Sequence, residues 1–215
     1  MLYNLFAPYA EHNLAFNVFR YLTFRSGAAM FTALLLSFYF GPKIIRWLKS
    51  KQADGQPIRN DGPESHLVTK KGTPTMGGVM ILLAVGLSTL LWADLSNPYV
   101  WVVLLVMFGF GGLGFADDYL KLTKKNSKGL SSRRKIFWQI VISVIAAVAV
   151  QASAPAGFGD VIAVPFFKNI LIQAGAFYIP FVLLVLIGAS NAVNLTDGLD
   201  RLAIVPVMTL AGCFA

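Results

Sequence analysis

A chain of 215 residues that is 56% hydrophobic and 13% charged, with a positive mean hydropathy, has far less charge than the roughly 25% of a soluble domain, which excludes a soluble globular protein. Its net charge of +8 does not point to nucleic acid, because fourteen of the eighteen Lys and Arg fall in two stretches, seven in residues 43–71 and seven in 121–135. The single cysteine, Cys213, excludes an internal disulfide framework.

Residues 1–18 are mixed and aromatic, and no basic segment leads into a small-residue cleavage site, so no signal peptide is expected. The first membrane span is predicted over residues 22–48, where 26–40 are uncharged, Arg46, Lys49 and Lys51 follow, and Gly41 with Pro42 is expected to kink the exit. A Gly- and Pro-rich polar loop comes next, longer than a turn needs. A second span is predicted over 72–93 and, after a turn at 94–98, a third over 98–119. The fourth is placed at 136–152, an irregular loop at 153–169 and the fifth at 170–190. After NAVNLTDGLDR a sixth begins at Leu202 and stops at Ala215, too short to cross about 30 Å of hydrocarbon. The expectation is therefore an all-α, polytopic integral membrane helix bundle: one membrane domain over 1–215, about five complete spans plus a truncated sixth, and the N-terminal part of a longer protein.

The charge asymmetry sets the orientation. With the basic loops inside, the N-terminus is outside, and the loops at about 49–74, 120–135 and 191–201 share the cytoplasmic face. Three unusual polar stretches meet there. In FGFGGLGFADDY, Asp117 and Asp118 end a segment with no charge from residue 95 to 116; such a pair either marks the water boundary of a helix or serves as base or metal ligand. Lys121 and Lys125, four apart, share a face that suits two phosphate oxygens, unless they are ordinary inside charge facing lipid headgroups.

In the first loop, Lys70 and Lys71 precede Gly72, Thr73, Pro74 and Thr75 at a helix start, where free backbone N–H groups favour phosphate; His66 reads as a loop histidine. Asn191, Asn194, Asp197 and Asp200 recur every three residues. In a three-per-turn coil they would lie on one face and could hold a metal or read a ribose and a base; otherwise they cap the sixth helix. Together these groups suggest phosphoryl transfer between a soluble phosphate ester and a lipid.

The stretches RNDGPESH, KKGTPTMGG, GFADDYLK and NAVNLTDGLD, in this order, resemble the phospho-N-acetylmuramoyl-pentapeptide transferases, within the polyprenyl-phosphate sugar-1-phosphate transferases. The resemblance implies magnesium-dependent transfer of phospho-N-acetylmuramoyl-pentapeptide from its UDP carrier to undecaprenyl phosphate, with release of UMP. It matches Asp117 and Asp118 to the catalytic pair and Lys121 and Lys125 to cationic positions near the phosphates. Lys70, Thr75, Asn191, Asn194, Asp197 and Asp200 match the uridine and ribose pocket. Either Asp117 or Asp118 is a candidate Mg2+ ligand, the main one falling after residue 215. The setting implied is a multi-pass protein of the bacterial cytoplasmic (inner) membrane, of about ten spans in full, with membrane lipid as a partner and a homodimer allowed. Arg201 stands where the family pattern has glycine, and the 215-residue chain alone is expected to be inactive. The competing readings are a related UDP-N-acetylglucosamine transferase and, from another class, an ion-coupled transporter.

Overall fold

A computed structural model describes residues 1–52, 75–124, 129–164, 167, 170–197 and 204–214. The first of two units, Met1–Lys135, contains α1 (Leu2–Phe6), two 3₁₀ turns (Ala7–Glu11 and Leu14–Arg20), α2 (Leu22–Lys51), α3 (Gly78–Trp92) and α4 (Pro98–Thr123). The second, Ile136–Ala215, holds most of α5 (Ser132–Ser153), a ribbon of β1 (Val161–Ala163) and β2 (Leu171–Gln173), a 3₁₀ turn at Gly175–Phe177, α6 (Tyr178–Asp197) and α7 (Ile204–Phe214).

Among the described residues, four helices are long and apolar enough to cross a membrane: Leu22–Lys51, Pro98–Thr123, Ser132–Ser153 and Gly175–Thr196. Leu48 and Leu104 apart, the buried residues are small or polar, unlike the core of a soluble protein. Ser88, Gln139, Ser143, Ala146 and Ala147 lie inside, while Met30, Phe38, Trp47, Trp101, Val103 and Leu184 face outward. Lipid is as apolar as leucine, so helices gain little by hiding large apolar groups and approach one another through small ones. Helices α3 and α4 do so reciprocally. A Cβ on Gly86 would stand 2.5 Å from Cζ of Phe108, and one on Gly111 would stand 2.5 Å from Cδ1 of Leu82. Each glycine is the recess into which the other helix sets a large side chain. The chain is an integral membrane protein built on helices.

Helix α3 has 15 residues, against the longer second span expected over 72–93. Met76, with φ of 73°, is in the left-handed region and stops the helix from reaching further back; Ala93, extended, ends it. Pro42, expected to kink the first span, lies inside one helix assigned without a break over Leu22–Lys51. Lacking an N–H, it leaves the carbonyl of Phe38 without the usual helical bond.

Before α2, Phe6 stacks on Phe16, and Phe19 stacks on Trp92 at the end of α3. The N-terminal ammonium donates to the carbonyls of Leu90 (2.8 Å) and Ala93 (3.1 Å), placing a cation on the negative end of α3. The turn between α3 and α4 is closed by Asp94, whose Oδ1 accepts from the hydroxyl of Ser96 (2.6 Å), its N–H (3.0 Å) and Nδ2 of Asn4 (3.0 Å). The Ser96 hydroxyl is the largest cause of the lowered pKa of this carboxyl. A folded pKa below the unfolded one stabilises the fold above the unfolded value and loses that contribution as pH falls through the folded value. Asp94→Ala is thus expected to lower the thermal midpoint in detergent at pH 7. The gap from wild type should close as pH drops below the ordinary carboxylate value of about 3.9. A gap that stays constant down to acid pH would contradict this.

The second unit corrects two expectations. Within an otherwise all-α chain, the loop at 153–169 was predicted to be irregular, yet Val161 pairs with Gln173, Ile162 with Ile172 and Ala163 with Leu171 in an antiparallel ribbon. Asp160 closes its base by accepting from the N–H of Gly175 (3.0 Å). The fifth helix, expected at 170–190, starts at Tyr178 because residues 171–173 are taken by β2 and Gly175 has a φ of 51°. It then continues through residues 191–197, expected to begin a loop.

Candidate functional site

Helix α4 carries Asp117, Asp118 and Lys121 on its last two turns, and the i, i+3 and i, i+4 spacings bring all three together. Lys121 Nζ lies 2.6 Å from Oδ2 of Asp117 and 3.3 Å from Oδ1 of Asp118, so one ammonium bridges both carboxylates. All three side chains are largely buried, with 19 to 31% of their area exposed. An ion pair at that depth is screened far less than one in open water.

Two other segments hold the acids. The backbone N–H of Leu130 donates to Oδ1 of Asp117 at 2.6 Å, and the hydroxyl of Thr75 donates to Oδ2 of Asp118 at 2.7 Å. Asp117 is therefore fixed through both oxygens by short contacts. Asp118 has a looser one, the 3.3 Å contact of Oδ1 with Lys121. Thr75 is itself held. Gln52, at the end of α2, accepts from the N–H of Thr75 through Oε1 (2.9 Å) and donates through Nε2 to the carbonyl of Thr75 (3.4 Å). This two-point grip sits beside the left-handed Met76, a conformation that costs an L residue about 1–2 kcal/mol.

In the second unit, α6 places Asn191 and Asn194 on an α-helix, where a step of three turns the side chain by about 60° from its predecessor. The single face of a three-per-turn coil is not formed over 191–197. Asn191 is half-buried, donating through Nδ2 to Oε1 of Gln139 and to the carbonyl of Ile187, each at 2.9 Å, while Asn194 is exposed. Asp197 ends α6, and its side chain lies outside the described residues, as do Lys70, Lys125, Asp200, Arg201 and His66.

The structure thus brings Thr75, Asp117, Asp118 and Lys121 into one hydrogen-bonded group. The sequence reading missed Gln52, Leu130 and the glycine before Leu130. Nothing local marks them, because their roles are contacts between segments distant in the chain. A signal did exist for Gln139: apart from Ser143 it is the polar residue set in the apolar stretch 136–150.

The model of glycosyl transferase family 4 matches residues 100–215, which include the Asp117–Asp118 pair and the Asn191 segment. The chain belongs to glycosyl transferase family 4. It also carries, over residues 70–82, phospho-N-acetylmuramoyl-pentapeptide-transferase signature 1, which contains Thr75 and the start of α3. It is similar to a phospho-N-acetylmuramoyl-pentapeptide-transferase of Granulibacter bethesdensis, 60% identical over 215 residues, which is 100% of this chain and 59% of that relative. This family 4 member therefore spans about 59% of the length of the curated relative it matches.

Proposed function

We propose that this chain contributes the carboxylate and lysine centre of an enzyme that transfers phospho-N-acetylmuramoyl-pentapeptide from its UDP carrier to undecaprenyl phosphate, releasing UMP. The observation that carries the reading is the bond from Thr75, inside the signature segment, to Asp118, inside the family match. It ties the two recognised stretches into one site, and the site has the groups this chemistry needs.

In that reading a phosphate oxygen of the lipid attacks the sugar-side phosphorus, and the bond to the UMP phosphate breaks. Lys121 provides the cation for the oxygens that gain charge, and Asp118, the more loosely held acid, orients the lipid phosphate or takes its proton. Asp117, held at both oxygens, keeps Lys121 in place. From the family resemblance we assign Asn191, Asn194, Asp197 and Asp200 to uridine and ribose binding, Lys70 and Thr75 to the same ligand, and Lys125 to the phosphates. The face that carries them is the cytoplasmic face of a bacterial inner membrane.

The donor set is compatible with Mg2+. Among the described residues no three His, Cys, Asp or Glu cluster, but Mg2+ is commonly held by one or two carboxylates with substrate phosphates and water completing the shell. Asp117 or Asp118 would be one of those carboxylates, and the ion would offset charge on the diphosphate.

The test is UMP release in detergent from UDP-N-acetylmuramoyl-pentapeptide, undecaprenyl phosphate and Mg2+. It is run on this chain and on the chain carried on to the length of its relative. Release from the longer form, competed by excess unlabelled substrate and not by UDP-N-acetylglucosamine, is expected, with none from the 215 residues alone. A folded longer form that releases no UMP overturns the reading.

A further inference from the structure

Gln139 is 1% exposed, within a helix face otherwise made of Ser143, Ala146 and Ala147. A primary amide in such surroundings costs several kcal/mol unless its hydrogen bonds are made, so its partners are the reason it can be there. They are two consecutive residues of α6: Gln139 Nε2 donates to the hydroxyl of Ser190 at 3.4 Å, and Oε1 accepts from Nδ2 of Asn191 at 2.9 Å.

The orientation of both amides follows from chemistry. The carbonyl of Ile187, 2.9 Å from the Asn191 side chain, can only accept, so the atom facing it is the amide nitrogen. That nitrogen also faces Gln139, which must therefore turn its oxygen towards Asn191 and its nitrogen towards Ser190. Both protons of Asn191 Nδ2 are then used. Its Oδ1 accepts from no described residue, so what Asn191 has left to offer a ligand is an acceptor.

We propose that Gln139 is a positioning residue, which from inside α5 locks the carboxamide of Asn191 so that Asn191 meets the nucleotide through its carbonyl oxygen. The ligand group opposite must be a donor, a ribose hydroxyl or a ring N–H. Without Gln139 the carboxamide keeps only the Ile187 carbonyl as a restraint among the described residues, and it turns its nitrogen outward more often, where it offers a donor to a donor. The inference rests on the assignment of Asn191 to the uridine and ribose pocket proposed above.

The experiment compares Gln139→Leu, Asn191→Ala and the double variant in the active, full-length form, measuring KM for UDP-N-acetylmuramoyl-pentapeptide, kcat and the thermal midpoint. One lost hydrogen bond to the ligand is expected to raise KM about fivefold to tenfold in either single variant, with kcat nearly unchanged. The double variant is expected to be no worse than Asn191→Ala, because both act through one group. A KM unmoved by Gln139→Leu, or single effects that add in the double variant, overturns the proposal. An active enzyme whose KM ignores Asn191→Ala instead overturns the assignment of Asn191. Should Gln139→Leu fail to fold, Gln139→Glu keeps an oxygen facing Asn191 in the same volume. It is expected to bind as wild type does, and a KM raised as far as in Asn191→Ala overturns the proposal.

Discussion

Lys121→Met in the full-length enzyme is expected to lower kcat/KM by about 10³-fold or more while leaving the helices intact. The reason is the sharing of one ammonium between two carboxylates, at 2.6 and 3.3 Å. Remove it and, among the described residues, the two acids keep the Leu130 N–H and the Thr75 hydroxyl as hydrogen-bond partners, with Lys135 acting on Asp117 only through its field. Adjacent carboxylates without their shared cation repel one another and shift out of place. The centre then loses the cation proposed for the phosphate oxygens and the set geometry of the acids. Methionine preserves the unbranched stem, so packing along α4 changes little.

Stability should change much less. Removing one partner of a largely buried pair costs more than breaking an exposed one, but the Leu130 N–H and the Thr75 hydroxyl still hold the acids and the lysine's own desolvation cost goes with it, so a loss of about 1–2 kcal/mol is expected. Lys121→Arg restores the charge with a planar fork whose reach differs from that of an ammonium, and partial recovery is expected. The measurements are single-turnover UMP release and a thermal midpoint on the same preparation. Activity of Lys121→Met within about threefold of wild type would exclude Lys121 from the phosphate-handling role. A collapse of the midpoint together with activity would make it structural.

The parts of this site that were legible in the sequence share one property: their geometry is local. Asp117, Asp118 and Lys121 meet because of helical spacing, and the apolar run before them predicts the helix. Thr75 was visible as a polar residue at a helix start. What was not legible depends on distant segments. Gln52 reads as one more polar residue leaving a helix, yet it grips Thr75 across 23 positions. The ribbon of β1 and β2 was hidden because two three-residue strands sit among Pro, Gly and Ala, and their pairing, more than their composition, makes them strands. The start of α6 was misplaced for the same reason. Its end was misplaced because Asn and Thr weaken a helix without stopping it, and no proline follows Pro180, in the first turn, until Pro206.

Gly129→Ala is expected to cost activity about 100-fold and stability only modestly, a ratio that follows from which atoms stand in the way. Gly129 has a φ of 54°, where an alanine loses about 1–2 kcal/mol. A Cβ there would also fall against Oδ1 of Asp117, 2.8 Å from Cε of Lys121 and 3.0 Å from Cγ of Asp117. None of these is backbone. The fold can yield by moving the ends of two side chains, but those ends are the site. If the loop retreats instead, the N–H of Leu130, the next residue, withdraws from its 2.6 Å bond to Asp117. Gly157→Ala separates the two effects, because Gly157 has a φ of 85° with nothing within 4 Å of its would-be Cβ. It bears a backbone cost of the same kind and none of the collision. The two variants should thus lose similar stability, a few degrees at about 2–4 °C per kcal/mol, while only Gly129→Ala loses UMP release. Equal activity in both would mean that the Gly129–Leu130 contact does not set the position of Asp117.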